Sequence, residues 1–382
     1  MRRAHPILIS LLFLGLCLSV PLIQATLDLL DDGPPQVLEL FERRPSAANL
    51  RRFEANLDDN SAFAKQLRPS FQLVRYLLLH DMGAKALDGL DGWTFYHPDV
   101  RYLTEPYFRD LRPPPTEDPV AVIQDFAAQL KDLGIDLLVV VIPGKPSIYP
   151  ERLWPRGKDL RRPSANTARF LSELAARHVA VVDAYRILHG ARAQADRDGE
   201  KLFMATDTHW TGRGIREVAR ALAKRIQPMP WYARPVRSPR YERHKVRFTR
   251  QGDIPVMTQI PWQTKLFPEE EVEVDQVTDL DSKGLYQDDP ASPVLLLGDS
   301  FSRIFQSDAP ESAGLIANLA FELQIPLASL VNDGGASTQV RVQLCRDPTL
   351  LAGKKLIIWE FVERDVRFGM SGWQRLSLGE TP

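Results

Sequence analysis

Cysteine is nearly absent: Cys17 and Cys345 are the only two in 382 residues. Cys17 falls in an apolar N-terminal run, so the rest of the chain holds a single thiol. That excludes an intrachain disulfide framework and any CxxC metal site. Charge of one sign is not in excess either. Lys and Arg number 48 against 49 Asp and Glu, for a net charge of -1. A globally basic nucleic-acid binder is therefore excluded, and no nucleic-acid partner is expected. Neither GxGxxG nor GxxxxGK(S/T) occurs, so nucleotide chemistry has no motif. His97, His178, His189 and His244 lack metal-ligand spacing, and no metal or organic cofactor is expected. Beyond the N-terminus no stretch approaches 18 apolar residues, which leaves no second membrane span. What remains is ordinary globular usage, 44% hydrophobic and 25% charged. Wholesale disorder and collagen are excluded. The length admits two units or one enlarged α/β domain.

Arg2 and Arg3 open the chain, and an apolar run follows from Pro6 to Ala25, interrupted only by Ser10, Ser19 and Gln24. About 20 helical residues just cross a hydrocarbon core of about 30 Å. Arginines before the run and Asp28, Asp31 and Asp32 after it orient the N-terminus to the cytoplasm. Segment 1–27 is expected to anchor the protein in the inner membrane through residues 6–25, with the body in the periplasm. Cleavage as a signal peptide, with Ala25 as the small residue, is the alternative. Leu16 before Cys17 is too large for a lipobox.

Residues 28–117 read as a lead-in of helix (63–79) and short strands around the turn Asp91-Gly92. Arg112 and the following prolines to Pro115 form a stiff connector. From 118 to 382 the pattern is α/β. Asp118 caps a helix whose first residue is Pro119. The strand IDLLVVVI follows at 135–142, then a helix from about Ser164 and a strand at 178–184. A loop leads to Phe203–Trp210, and a helix capped by Thr211 comes next. Residues 228–290 interrupt the rhythm as an insertion of hairpins and loops, basic over 237–250 and acidic over 269–289. Each charged block is either a solvated face or a rim attracting an anionic polymer. VLLLG (294–298), a helix over 315–323, IPLASLV (325–331), a helix through Leu344 and KLIIWEF (355–361) complete the series. This alternation implies right-handed crossovers and a mostly parallel sheet flanked by helices. Ligands of such sheets sit at the carboxyl ends of the strands.

Two chemistry-bearing sequences fall at such ends. Gly298-Asp299-Ser300 follows VLLL, and Asp207-Thr208-His209 precedes a helix. A serine hydroxyl becomes nucleophilic when a base removes its proton, and a carboxylate fixes the tautomer of that base. Ser300 is the candidate nucleophile, His209 the base and Asp207 the orienter. Gly298 permits a sharp turn off the strand, so that Ser300 opens a helix whose free N–H groups face an oxyanion. Gly334 and Gly335 are either further oxyanion donors or a tight turn. Arg364 and Glu360 form either a buried pair that supports the site or an exposed or structural ion pair. Lys145 faces the site or the solvent. Trp93, Phe95 and Tyr96 stack on sugars or pack the core, and Cys345 is expected to be buried. The same triad serves a hydrolase or an acyltransferase, and a non-catalytic glycan-binding scaffold is a third reading.

Six segments together resemble the alginate O-acetyltransferase AlgJ/AlgX family, a branch of the SGNH hydrolase-like superfamily. They are GLDGWTFYHPDVRYL (89–103), PGKPSIYPERL (143–153), TDTHWTGRG (206–214), LLLGDSFS (295–302), NDGGAST (332–338) and IIWEFVERD (357–365). The resemblance implies a circularly permuted SGNH-like sheet, with Asp207 and His209 ahead of Ser300 in the chain. It implies acetyl transfer to hydroxyls of an exopolysaccharide, and a membrane-bound O-acyltransferase partner that supplies the donor. Asp207, His209 and Ser300 match the family's triad positions. Two positions depart from the pattern. Glu360 stands where ordinary SGNH esterases place an oxyanion Asn, and Phe301 stands where alginate members often have Tyr. No carbohydrate-binding module is expected after the last strand.

Overall fold

The computed structural model describes residues 4–30, 34–42, 44, 46–112, 117–160, 162–233 and 239–378. The connector at Pro113–Pro115 lies outside the described residues. The chain divides into two compact units, Met1–Gly83 with Thr258–Trp262, and Ala84–Met257 with Gln263–Pro382.

The first unit is helical. Its opening helix, Ala4–Leu30, is longer than the apolar run. The stretch Ile9–Leu30 is long and apolar enough to cross a membrane. Ser46 caps the helix Ala47–Asn60 by accepting from the Asn49 N–H. Ser61 ends that helix and caps the next, Ala62–Leu79. A hydroxyl at such a junction satisfies orphan donors that an apolar residue would leave bare.

The second unit opens with the expected hairpin. Strands β1 (Ala86–Asp88) and β2 (Thr94–Tyr96) pair antiparallel. Strands β3 (Asp136–Ile142) and β4 (Ala180–Asp183) belong to the main sheet. A second antiparallel sheet holds β5 (Tyr241–Arg250), β6 (Glu270–Asp279) and β7 (Gly284–Leu285). The main sheet resumes with β8 (Val294–Gly298), β9 (Ala328–Val331) and β10 (Leu356–Val362). Its order is β4-β3-β10-β8-β9, and all four pairings are parallel. The fold is thus a parallel α/β sheet flanked by helices.

Burial explains why the central strands are almost purely apolar. Successive residues of β3 face opposite sides: Leu138, Val140 and Ile142 enter one core, Leu137, Val139 and Val141 the other. β10 divides the same way, with Ile358 on the first side and Trp359 and Phe361 on the second. A strand covered by helices on both faces has no polar side to show. Helix Pro119–Asp132 starts where read, with Asp118 accepting from the Val120 and Ala121 N–H groups.

Two readings need correction. The loop expected before Phe203 contains a 14-residue helix, Ala184–Arg197. Its interior Gly190 and dense charge mask a narrow apolar stripe of Tyr185, Leu188 and Ala195. The two charged blocks of the insertion are not separate rims. They are the facing strands β5 and β6, with Arg250 opposite Glu270 and Tyr241 opposite Asp279. Arg247 Nε lies 2.7 Å from Glu273 Oε2, and Lys245 pairs with the same carboxylate. Opposite charges across a ladder neutralise one another.

Candidate active site

The central strands β8 and β10 run side by side, with Leu297 opposite Trp359; β8 ends at Gly298, and β10 runs on past it to Val362. Gly298 is needed there for space. A Cβ on it would lie 2.5 Å from Ser302 Oγ and 2.9 Å from Glu360 Oε2. The chain turns at Asp299, whose carboxylate accepts from the Phe301 N–H (2.8 Å) and the Val362 N–H (3.1 Å). That carboxylate ties the turn to the neighbouring strand and starts the short helix Ser300–Arg303. Ser300 is therefore fixed at a strand end, half-buried.

Asp207 and His209 do not end a strand of the sheet, contrary to expectation. They occupy a loop closed by the bridge Phe203–Trp210 and by the Met204 N–H donating to the His209 carbonyl (3.2 Å). Lys145, after β3, holds this loop to the sheet. Its ammonium donates to the carbonyls of Met204 (3.1 Å), Ala205 (2.8 Å) and Asp207 (2.7 Å). It is 1% exposed, so the solvent reading of this lysine is wrong. Burial pushes its ammonium down to about 8, against the pull of Asp207 and Asp253. Trp210 adds a bond from its indole N–H to the Phe301 carbonyl (3.1 Å), which links the histidine loop to the serine helix.

The three expected residues meet. His209 Nε2 is 2.8 Å from Ser300 Oγ, and His209 Nδ1 is 2.7 Å from Asp207 Oδ1. Asp207 Oδ1 also accepts from the His209 N–H (2.9 Å). Burial favours the neutral forms of both groups, and their mutual attraction overturns it. The carboxyl of Asp207 is held well below the usual range, chiefly by His209 and then by Arg250. Burial pushes His209 down, yet Asp207 leaves the imidazole more basic than usual. The Phe301 ring lies 4.9 Å from the imidazole and is fully buried. Phe301 therefore meets the imidazole by packing and offers it no hydroxyl.

Sequence reasoning missed three neighbours of the triad. Asp253, in the insertion, accepts from the Thr208 N–H (2.7 Å) and the Thr208 hydroxyl (2.6 Å). Thr208 Oγ1 is in turn 3.0 Å from His209 Nδ1. Arg250, at the end of β5, donates to Asp207 Oδ2 (3.3 Å). No spacing signal ties 250 and 253 to 207; the antiparallel pairing of the two charged blocks was the available clue. Asp207, His209 and Asp253 present ligand atoms within 4.8 Å of one another. Those atoms already serve the histidine and Thr208, and Arg250 supplies positive charge to Asp207, so the donor set fits a hydrogen-bonded triad.

The supporting residues fall differently. Arg364 pairs with Asp99 (2.9 Å), not with Glu360, and its cation lies 5.1 Å from the Tyr96 ring centroid. Burial works against that charge, but Asp99 and Asp365 hold the guanidinium above its ordinary value. Glu360 accepts from the Ser302 hydroxyl (2.6 Å) and the Asp299 N–H (3.3 Å). Complete burial and then the charge of Asp299 raise its carboxyl well above normal. Gly334, at φ +66°, and Gly335 form a turn closed by the Gly335 N–H on the Asn332 carbonyl (2.9 Å). Arg303 fastens this loop to the serine helix through Asp333 (2.8 Å). Trp93 and Phe95 are buried core residues, and Cys345 is buried.

The family described as "SGNH hydrolase-like domain, acetyltransferase AlgX" matches residues 86–363. The chain belongs to this family. It is 29% identical over 255 residues to a protein of Pseudomonas fluorescens named "Probable alginate O-acetylase AlgJ", covering 64% of this chain and 60% of that one. The protein of the same name from Pseudomonas aeruginosa is 29% identical over 176 residues, or 46% of this chain and 41% of its own length. The chain thus spans less than two thirds of these relatives. The O-acetyltransferase domain of Pseudomonas putida AlgJ superposes with a TM-score of 0.55 at 19% identity, over 74% of this chain and 92% of that domain. Pseudomonas aeruginosa AlgX gives 0.52 at 15%, over 72% and 62%. These two structures share the fold.

Proposed function

We propose that the protein is a periplasmic O-acetyltransferase that acts on hydroxyls of an exopolysaccharide through Ser300, His209 and Asp207. The observation that carries this reading is the unbroken line Ser300 Oγ–His209 Nε2 (2.8 Å) and His209 Nδ1–Asp207 Oδ1 (2.7 Å), set in a fold of the acetyltransferase family.

His209 takes the Ser300 proton as Oγ attacks the acetyl carbonyl. The new C–O bond gives a tetrahedral oxyanion. Among the described residues the Ser300 N–H has no other acceptor, and we assign it as one oxyanion donor. The Gly335 N–H is engaged in its own turn, which leaves Gly334 as the other candidate in that loop. Collapse of the intermediate breaks the bond to the donor oxygen, and His209 returns its proton to the leaving group. A sugar hydroxyl then gives its proton to His209 and attacks acetyl-Ser300; the bond from the acetyl carbon to Ser300 Oγ breaks, and His209 returns the proton to that oxygen. Asp207 keeps Nδ1 protonated throughout and stabilises the imidazolium.

On this reading the helix Ala4–Leu30 anchors the chain in the inner membrane, residues 28–117 lead in, and 118–382 form the catalytic domain. A membrane-bound O-acyltransferase supplies acetyl to Ser300, and an alginate-like polymer accepts it. The test is acetyl release from an acetyl ester by the purified chain, with and without an oligouronate acceptor. Transfer predicts acetylated oligosaccharide at the expense of free acetate. Acetate release that the sugar never diverts makes the protein an esterase. Turnover unchanged by Ser300→Ala removes the enzymatic reading and leaves a glycan-binding scaffold.

A further inference from the structure

The first unit exposes apolar surface in an ordered pattern. Helix Ala62–Leu79 shows solvent Leu67, Phe71, Val74 and Leu78, which are 48%, 64%, 51% and 74% exposed. Their spacing of four, three and four residues puts all four on one face. Arg68 and Arg75, seven apart, run along one border of that stripe. Arg75 also reaches Asp81. Polar Gln66 and Ser70 lie toward the other border, and both are exposed.

The start of this helix is pinned to the first helix. The Ala62 N–H donates to Gln24 Oε1 (2.8 Å), and Gln24 is buried at 7% exposure. Gln24 also donates to Asp28 Oδ1 (2.7 Å). These residues close the apolar run where its first acid appears, which is the outward boundary of a hydrocarbon core. The stripe therefore begins at membrane depth. A helix with a narrow apolar face and bordering arginines suits the boundary between acyl chains and phosphate head groups. The arginine stems cover apolar surface there while the guanidinium groups reach phosphate.

We propose that helix Ala62–Leu79 lies on the outer surface of the bilayer crossed by the first helix, with Leu67, Phe71, Val74 and Leu78 among the acyl chains. The occupant of this face is phospholipid. The proposal rests on the anchoring of Ala4–Leu30 proposed above and gives the lead-in region a role that the triad does not require.

Photo-crosslinking of the full chain tests it. A p-benzoylphenylalanine residue is introduced singly at Leu12, Gln66, Phe71 or Leu78, and the protein is reconstituted in vesicles of phosphatidylethanolamine and phosphatidylglycerol. Retained acetyl labelling of Ser300 verifies the fold of each variant. Lipid adducts at Leu12, Phe71 and Leu78, at least fivefold above Gln66, are expected. Lipid at Leu12 with none at Phe71 and Leu78 overturns the proposal and leaves the anchor standing. No lipid at Leu12 overturns the anchor and the proposal with it. Repeating the illumination in native membranes decides between lipid and a protein partner. A dominant protein adduct at Phe71 assigns the stripe to a partner and overturns the lipid assignment.

Discussion

Asp253 Oδ2 lies 3.5 Å from His209 Nδ1, so the imidazole of this site is flanked by two carboxylates. Asp207 accepts its N–H directly, while Asp253 holds Thr208 and adds a second negative charge. Burial and the charge of Asp207 raise the Asp253 carboxyl above its usual range. Asp253→Asn keeps the shape and removes the charge. The imidazole then loses part of its support, and the midpoint for Ser300 acylation moves down by about one pH unit. A pH profile of acylation measures this. A purely structural role would lower the rate without moving the midpoint.

His209 itself predicts the shape of that profile. Its imidazole is more basic than the ordinary 6.5. Acylation needs the neutral base, so the rate rises with pH through a midpoint above 6.5. The stability signs follow from the same pair. The contribution of the depressed Asp207 carboxyl is full above about pH 4 and is lost as pH falls through its lowered folded value. That of the raised His209 is full below about pH 6.5 and is lost as pH rises through its folded value. Asp207→Asn should lower acylation by roughly 10⁴-fold, because the wrong tautomer then faces the serine. Single-turnover acylation is the measurement.

Lys145 grips the histidine loop through three carbonyls. Lys145→Met takes the ammonium from the Met204 and Asp207 carbonyls, while Ala205 keeps the Thr94 N–H (3.0 Å), at a cost of about 2 kcal/mol or more. Urea unfolding of the two proteins reads the loss. The folded fraction of the variant should also acylate more slowly, since Asp207 is the third residue gripped. Equal stability and equal acylation would remove this lysine from the account.

Glu360 sits beneath the serine turn as a carboxyl that prefers its proton. Above its ordinary value of 4.5 the native state retains a proton that the unfolded chain releases, so this residue lowers stability as pH rises through that interval. Glu360→Gln imitates the protonated acid and should flatten the slope while keeping the bond to Ser302. Glu360→Ala leaves the Ser302 hydroxyl and the Asp299 N–H without their acceptor and opens a void, costing about 2–4 kcal/mol. Denaturation curves at several pH values separate the two variants.

The strands and the triad were legible in the sequence because their causes are local. Val139 and its neighbours are apolar in unbroken runs, Asp118 and Thr211 are recognisable caps, and Ser300 follows a strand and a glycine. The helix Ala184–Arg197 was not legible, since Gly190 and its charges obscure a stripe of three apolar residues. Arg250, Asp253 and Asp99 were invisible as site residues for a different reason. Each reaches the site across a tertiary contact, Arg250 from the end of β5, Asp253 from the start of the helix Asp253–Thr258 and Asp99 from the helix His97–Thr104, and one-dimensional spacing does not encode such contacts. The Arg364–Glu360 pair failed on the same ground: Arg364 lies in the turn after β10, beyond the strand that carries Glu360, and Asp99 reaches it from a distant segment.

The most direct measurement is the mass of the peptide that holds residue 300 after brief exposure of the chain to a reactive acetyl ester. The account predicts one acetyl group on Ser300, formed at a rate that rises with pH and absent when His209 is replaced by Ala. An unlabelled Ser300, or labelling at the same rate without the imidazole, would contradict it.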